Sequence, residues 1–289
     1  MDQLEPSLPP ELEREVFKIA AWTYPSTIPA LLLVSKRVFA WTEALLFHTV
    51  AATDEAQILA LKTKSLEILR TSIRNLCLDD GPSQWSQSEI LTTLETCVQV
   101  RRIALGSMYC GPQILPYLSQ MRLDHLAVCL HALFGGHDLP YWDVDSALFA
   151  TVTHLDISDD INVCSAASST CGSHLVQHLV ALPSLTHLRL PGILPDDIAE
   201  CFRTWSQLQV LLISHSNSIR RRIRLARWLR QSCLYDDSRV VLVVRASGRN
   251  DWEDGTRGLR DQWARADELV AHRTKWKIEW KRFCLDFIG

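Results

Sequence analysis

Leu185-Thr186-His187-Leu188-Arg189-Leu190 is the stretch on which the reading of this sequence turns. Its apolar residues stand at the first, fourth and sixth positions, and the last two alternate with a polar residue between them. Alternation with period two marks a short strand with one buried face. The same apolar-x-x-apolar-x-apolar pattern occurs at Ile73/Leu76/Leu78, Val100/Ile103/Leu105 and Leu123/Leu126/Val128. It returns at Val152/Leu155/Ile157 and Leu208/Leu211/Ile213, and in a worn form at Ser238/Val241/Val243. The middle positions are 23 to 33 residues apart, the spacing of a repeat architecture.

Between these strands the periodicity changes to that of helices. Ile90, Leu91, Leu94 and Val98 follow Ser88, and Leu175, Leu179 and Leu182 follow Ser173, a candidate N-cap. Ile198, Cys201, Phe202 and Trp205 follow Pro195-Asp196-Asp197, which places acidic residues at the positive end of a helix. One strand–helix unit cannot bury its own apolar face, whereas stacked units can. The expected fold is therefore α/β: an irregular solenoid with parallel strands inside and helices outside.

These residues resemble the leucine-rich-repeat family over positions 73–245. Ser107, Asp159 and Ser214 stand where that family uses a polar residue to close the turn after the strand. The stretch 159–172, rich in Ser, Ala and Thr, reads as an exposed loop between units.

The first fifty residues differ in kind. Pro9 and Pro10 suit a first helical turn, and Leu12, Val16 and Ile19 with Phe17 and Ala20 give that helix an apolar face. A turn at Tyr24-Pro25-Ser26 precedes Ile28-Pro29 and the run Ala30 to Arg37. A third helix carries Val38, Trp41, Ala44 and Leu45. Three short helices make a poor independent core, so their apolar faces await the rest of the chain or another protein.

Leu8-Pro9-x-Glu11-Leu12 with Val16-Phe17, then Val34-Ser35-Lys36-Arg37 and Trp41, resemble an F-box of the kind expanded in mushroom-forming fungi. The resemblance implies that Leu8, Pro9, Leu12, Val16, Phe17 and Val34 touch the SKP-type adaptor of a cullin–RING ubiquitin ligase, and that the repeats choose a protein substrate. The other reading of the same residues is packing against the first repeat, in a stand-alone interaction scaffold. The expected organisation is an F-box-like module at 1–50, a degenerate leucine-rich-repeat solenoid at 51–248, and a C-terminal helical cap with its tail at 249–289. In that last segment Leu259, Trp263, Ala266 and Val270, then Trp276, Trp280 and Phe283, are spaced to cover the open end of the strand stack or to meet a partner.

Composition excludes much else. The net charge is −3, but residues 1–213 carry 13 basic and 23 acidic side chains whereas residues 214–289 carry 17 and 10. The basic excess centres on Arg220, Arg221, Arg222, Arg224, Arg227 and Arg230, read as the solvated face of one repeat helix whose apolar stripe is Ile219, Ile223, Ala226 and Leu229. An acidic partner fits this patch, and nucleic acid is disfavoured because no aromatic platform accompanies it. Nine scattered cysteines without a Cys-x-x-Cys pair point to free thiols in the cytoplasm or nucleus, and no apolar run is long enough for a membrane span. Phosphate-loop, dinucleotide, hydrolase and zinc-protease motifs are lacking, so no cofactor, metal site or catalytic residue is expected. Gly106 to Gly111 lacks a phosphate-binding lysine, and Gly135-Gly136-His137-Asp138 reads as a loop. His125, His154 and His187 occupy one position in three units, either as a row forming a pH-sensitive or metal-binding ladder or as partly exposed turn-side residues.

Overall fold

The computed structural model describes residues 8–52, 63, 65–78, 85–135, 147–159, 171–215, 218–244, 248–276 and 284–285. Among them nine strands form one all-parallel sheet in sequence order: β1 Thr49–Ala52, β2 Asn75–Leu78, β3 Arg102–Leu105, β4 His125–Val128, β5 His154–Ile157, β6 His187–Pro191, β7 Val210–His215, β8 Val240–Val244 and β9 Cys284–Leu285. Sequential parallel order needs a crossover after every strand. Helices or short turns supply most of them: α4 Leu66–Ser72, α5 Gln87–Thr96, α6 Leu115–Leu118, α7 Leu130–Leu133, α8 Cys171–Ala181, α9 Asp196–Thr204 and α10 Ile219–Gln231. The result is the expected solenoid-like α/β arrangement.

The register explains why the units stack. Leu76, Ile103, Leu126, Leu155, Leu188 and Leu211 are successive partners across β2 to β7, and each is at most 1% exposed. With Leu78, Leu105, Val128, Ile157, Leu190 and Ile213 they form the wall against which the helices pack. The first apolar position of each triplet, from Ile73 to Leu208, is buried in the same core. One backbone bond repeats at the strand entrances. The Arg74 carbonyl accepts from Arg101 and Arg102, and the Arg101 carbonyl accepts from Asp124 and His125. The carbonyls of Asp124, Thr153 and Thr186 do the same for the units that follow.

Side chains close the turns. Asp159 accepts from the backbone of Leu130 at 2.6 Å and His131 at 2.8 Å, capping α7 of the preceding unit, and Ser214 Oγ donates to the Leu190 carbonyl at 3.3 Å. Ser86 and Glu89 form a capping box on α5, so that helix starts at Gln87 rather than after Ser88. Helix α8 begins at Cys171, so Ser173 lies inside it and is not its N-cap. At the end of α9, Arg239 donates to the carbonyls of Phe202, Arg203, Trp205 and Leu208 while paired with Asp237. A cation thus satisfies carbonyls that a helix terminus leaves open.

Three expectations are corrected. The last triplet is shifted by one residue: Leu211 pairs with Val240 and Ile213 with Leu242, so Val240 and Leu242 face the helices and Val241 and Val243 face the other way. In the all-valine-and-leucine run 240–244 no polar residue marks a face, and a slip of one exchanges the two. On α10 the buried residues are Leu225 and Leu229, while Ile219 and Ile223 are exposed. Strand β1 is an additional unit, with Phe47 and Val50 buried and Val50 paired with Leu76.

The N-terminal helices are α1 Pro10–Thr23, α2 Ile28–Leu31 and α3 Lys36–Leu46. Ser35 caps α3 by accepting from the Val38 backbone at 3.2 Å, and Arg37 joins the helices through its ion pair with Glu13. The Arg37 guanidinium also lies 5.3 Å from the Trp41 ring centre. Ile28, Val38 and Thr42 are buried, but Ala21 is the single buried residue of α1.

The C-terminal segment is a helical hairpin, α11 Gly248–Thr256 and α12 Gln262–Trp276. Trp263 and Ala266 of α12 pack on Val210, Leu212, Val241 and Val243, the residues of β7 and β8 turned away from the helical layer. The hairpin therefore lies across the inner face of the sheet instead of closing its end, and β9 extends the edge there. Trp280 and Phe283 lie outside the described residues.

Candidate functional site

The inner face is written by the residues that alternate with the buried leucines. One row runs Thr49, Asn75, Arg102, His125, His154, His187 and Val210, each paired with the next. The neighbouring row runs Ala51, Cys77, Ala104, Ala127, Asp156, Arg189 and Leu212. Small side chains in the second row from β1 to β4 leave a trough, and larger ones fill it from β5 onward.

The three histidines form a stack on the sheet. Ring centres of His125 and His154 are 3.9 Å apart with an 11° tilt, and those of His154 and His187 are 4.0 Å apart with a 13° tilt. Parallel strands with identical register hold equivalent side chains face to face, which is why the row is a stack. Trp263 stands over it edge-on, 5.3 Å from His154 and 5.8 Å from His187. Burial holds both inner rings neutral: His125 is pushed down to about 3, with help from Arg102, and His154 to about 2, with help from the flanking imidazoles.

Nδ1 is fixed differently along the row. Thr153 Oγ1 lies 2.8 Å from His154 Nδ1, and Thr186 Oγ1 lies 2.8 Å from His187 Nδ1. Position 124 holds Asp instead of Thr, and the buried Nδ1 of His125 has no hydrogen-bond partner. His187 Nε2 meets Asp267 of α12 at 3.0 Å.

Polar bonds tie the hairpin to the rest of this face. Arg189 pairs with Asp156 at 2.9 Å and donates to Gln262 Oε1 at 3.2 Å. Asp251 pairs with Arg265 and accepts from the Gln262 backbone at 3.1 Å. Asp261 caps α12 by accepting from Ala264 at 2.8 Å, and its carboxylate lies so close to Gly255 that a Cβ there would sit 2.1 Å from Oδ2. Burial pushes the carboxyls of Asp251 and Asp261 up. Arg102 donates to the Gly255 carbonyl at 2.6 Å, and Thr49 meets Thr256 at 3.2 Å.

Between trough and hairpin lies a cavity of about 410 Å³. Ala104 and Ala127 form its floor; Arg102, His125 and His154 line one side; Trp252 and Trp263 come from the hairpin. Asp156, Asp251 and Asp261 also reach it. A volume in the range of small-molecule sites, with charged and polar groups about as prominent in the lining as apolar ones, fits a polar ligand of modest size. Among the described residues no group of three or more histidine, cysteine or acidic side chains is arranged to hold a metal.

The residues singled out from sequence lie elsewhere. Leu8, Leu12, Val16 and Val34 are 45, 55, 55 and 57% exposed, Pro9 is exposed and Phe17 is half-buried. Arg220, Arg221, Arg222, Arg224 and Arg227 are exposed on α10, apart from the cavity. His137 and Asp138 lie outside the described residues, and Ser107 to Tyr109 form a 3-10 turn. The histidine row was visible as a repeated position, and Arg102 occupies that position one unit earlier. Asp156 and Arg189 occupy the second row, two residues further along their strands. No helix among the described residues is long and apolar enough to cross a membrane. Compared with known proteins, the chain matches no family model, and no curated protein or solved structure is significantly similar to it.

Proposed function

We propose that this chain is a non-catalytic adaptor that recruits a protein substrate to a cullin–RING ubiquitin ligase, docking on the SKP-type adaptor through α1 and the turn after α2. The observation that supports this reading is the apolar face left uncovered on a module that already packs α1 against α3. Leu12, Val16 and Ile19 lie exposed along α1, and Leu33 and Val34 lie exposed beside Ser35. Exposed large apolar residues concentrated on one small module mark an interaction surface. They favour a partner over intramolecular packing, because the first repeat does not cover these residues.

Covering the remaining half of a half-exposed Leu or Val is worth about 0.8–1.5 kcal/mol. Leu8, Leu12, Val16 and Val34 together supply about 3–6 kcal/mol on that basis, against about 4–15 kcal/mol for association. Ile19, Tyr24 and Leu33, each more than 60% exposed, must therefore join the interface. The test is capture of the purified chain on immobilised SKP-type adaptor. Leu12→Asp with Val16→Asp should leave folding intact, because both side chains are exposed, and weaken capture about tenfold to a hundredfold. Unchanged capture by this double variant, or none by the native chain, overturns the reading.

A further inference from the structure

We propose that the cavity between the inner face and the C-terminal hairpin binds a small organic carboxylate with a flat apolar body, its carboxylate on Arg102 and its ring between Trp252 and Trp263. This goes beyond the ligase reading and does not depend on it. The charges in the wall select the ligand. Asp156 is matched by Arg189, Asp251 by Arg265, and Asp261 caps α12. Among the described residues Arg102 makes one side-chain hydrogen bond, to a backbone carbonyl, and no carboxylate lies within ion-pair distance of it; Asp261 attracts it only from further off, which leaves its remaining donors for a ligand. A guanidinium with free donors is suited to a bidentate carboxylate, and a partly desolvated one gains most from it.

Three aspartates in the same wall set the limit on negative charge. They disfavour a phosphate dianion more strongly than a carboxylate monoanion, since like charges at close range repel. His125 and His154, the two histidines of this wall, are held neutral by burial and add no compensating charge. Ala104 and Ala127 of the sheet and the indoles of Trp252 and Trp263 supply an apolar part of the lining on which a planar body can rest.

The probe is 2-naphthoate, titrated calorimetrically into the full chain, beside 2-naphthamide and 2-naphthyl phosphate. Saturable binding of naphthoate is expected, with the amide and the phosphate each at least about tenfold weaker, the scale of one charge-assisted hydrogen-bond pair. Arg102→Gln should weaken naphthoate about tenfold to a hundredfold, whereas Arg102→Lys, which keeps the charge, retains more of it. Ala127→Leu raises the floor without touching a charged group and should abolish binding. Circular dichroism and urea midpoints establish that each variant is folded, and Ala127→Leu decides the matter if the Arg102 variants are not. No saturable binding by the native chain, binding unchanged in Ala127→Leu, or a preference for the amide or the phosphate overturns the proposal.

Discussion

Lowering the pH from 7 to 5 should cost this fold about 4 kcal/mol through His125 and His154 alone. An unfolded histidine titrates near 6.5, whereas burial and the neighbouring cations and imidazoles hold these rings at about 3 and about 2. Below 6.5 the unfolded chain takes up two protons that the folded chain refuses, so stability falls as pH falls and levels off above neutrality. One pH unit is worth about 1.36 kcal/mol per group, and the interval from 7 to 5 therefore about 2 kcal/mol for each ring. Asp251 and Asp261 act in the opposite sense: their raised folded pKa values mean that folding gains as pH falls toward them. His48, also held down by burial, adds a loss common to all variants. The informative quantity is thus a difference. Urea denaturation from pH 5 to 7.5 should give the native chain a fall about 4 kcal/mol larger than that of the variant His125→Gln with His154→Gln. Parallel stability curves, within about 1 kcal/mol, would refute the burial of a neutral imidazole stack.

Other substitutions probe the parts that hold this face. Trp263→Ala removes the ring that spans the histidine stack and the β7–β8 valines and leucine, and should lower the urea-derived stability by about 3–5 kcal/mol. Arg239→Met leaves the α9 carbonyls without their donor and Asp237 with only the backbone N–H of residue 239, a loss of about 2–4 kcal/mol by the same measurement. Asp124→Thr places a hydroxyl where the next two units have one, and should stabilise the fold by about 0.5–1.5 kcal/mol by giving His125 Nδ1 a partner.

From Ile73 to Leu190 a polar or small residue separates the last two apolar positions of each triplet, and that alternation is enough to place a residue on a face. The triplet Leu208/Leu211/Ile213 was placed by its repeat spacing, although β7 is apolar on both faces. The shift at Val240–Val244 and the missed inner-face role of α12 have one cause. Val210, Leu212, Val241 and Val243 make β7 and β8 apolar on both sides, the mark of strands covered twice. That signal was in the sequence, but it names no cover; the register of β8 and the docking of α12 had to be seen together. Strand β1 was hidden because Thr49-Val50-Ala51-Ala52 offers one large apolar residue. The α10 stripe was misplaced because the exposed Ile219 and Ile223 imitate a buried face, and period alone does not tell which face is buried. The cavity was beyond sequence reading, since its walls come from β2 to β6 and from residues 251–263, which only the returning hairpin brings together.

The placement of that hairpin bears on how a partner can be recognised. On β7 and β8 it is anchored by apolar packing and by Arg273, which donates to the Val240 carbonyl at 2.7 Å, and at its other end Arg102 meets Gly255 and Thr49 meets Thr256. That other end spans the row of small residues without filling it. The cavity is the consequence of laying a rigid hairpin across a face that is greasy at one edge and hollow toward the other. If the chain recruits a protein substrate as proposed, the surfaces open to it are the loops at the sheet rims and the outer helices, where α10 presents its arginines. Substrate choice by those surfaces and ligand binding under the hairpin would then be separable, because the cavity lining includes no residue of α10 or of the N-terminal helices.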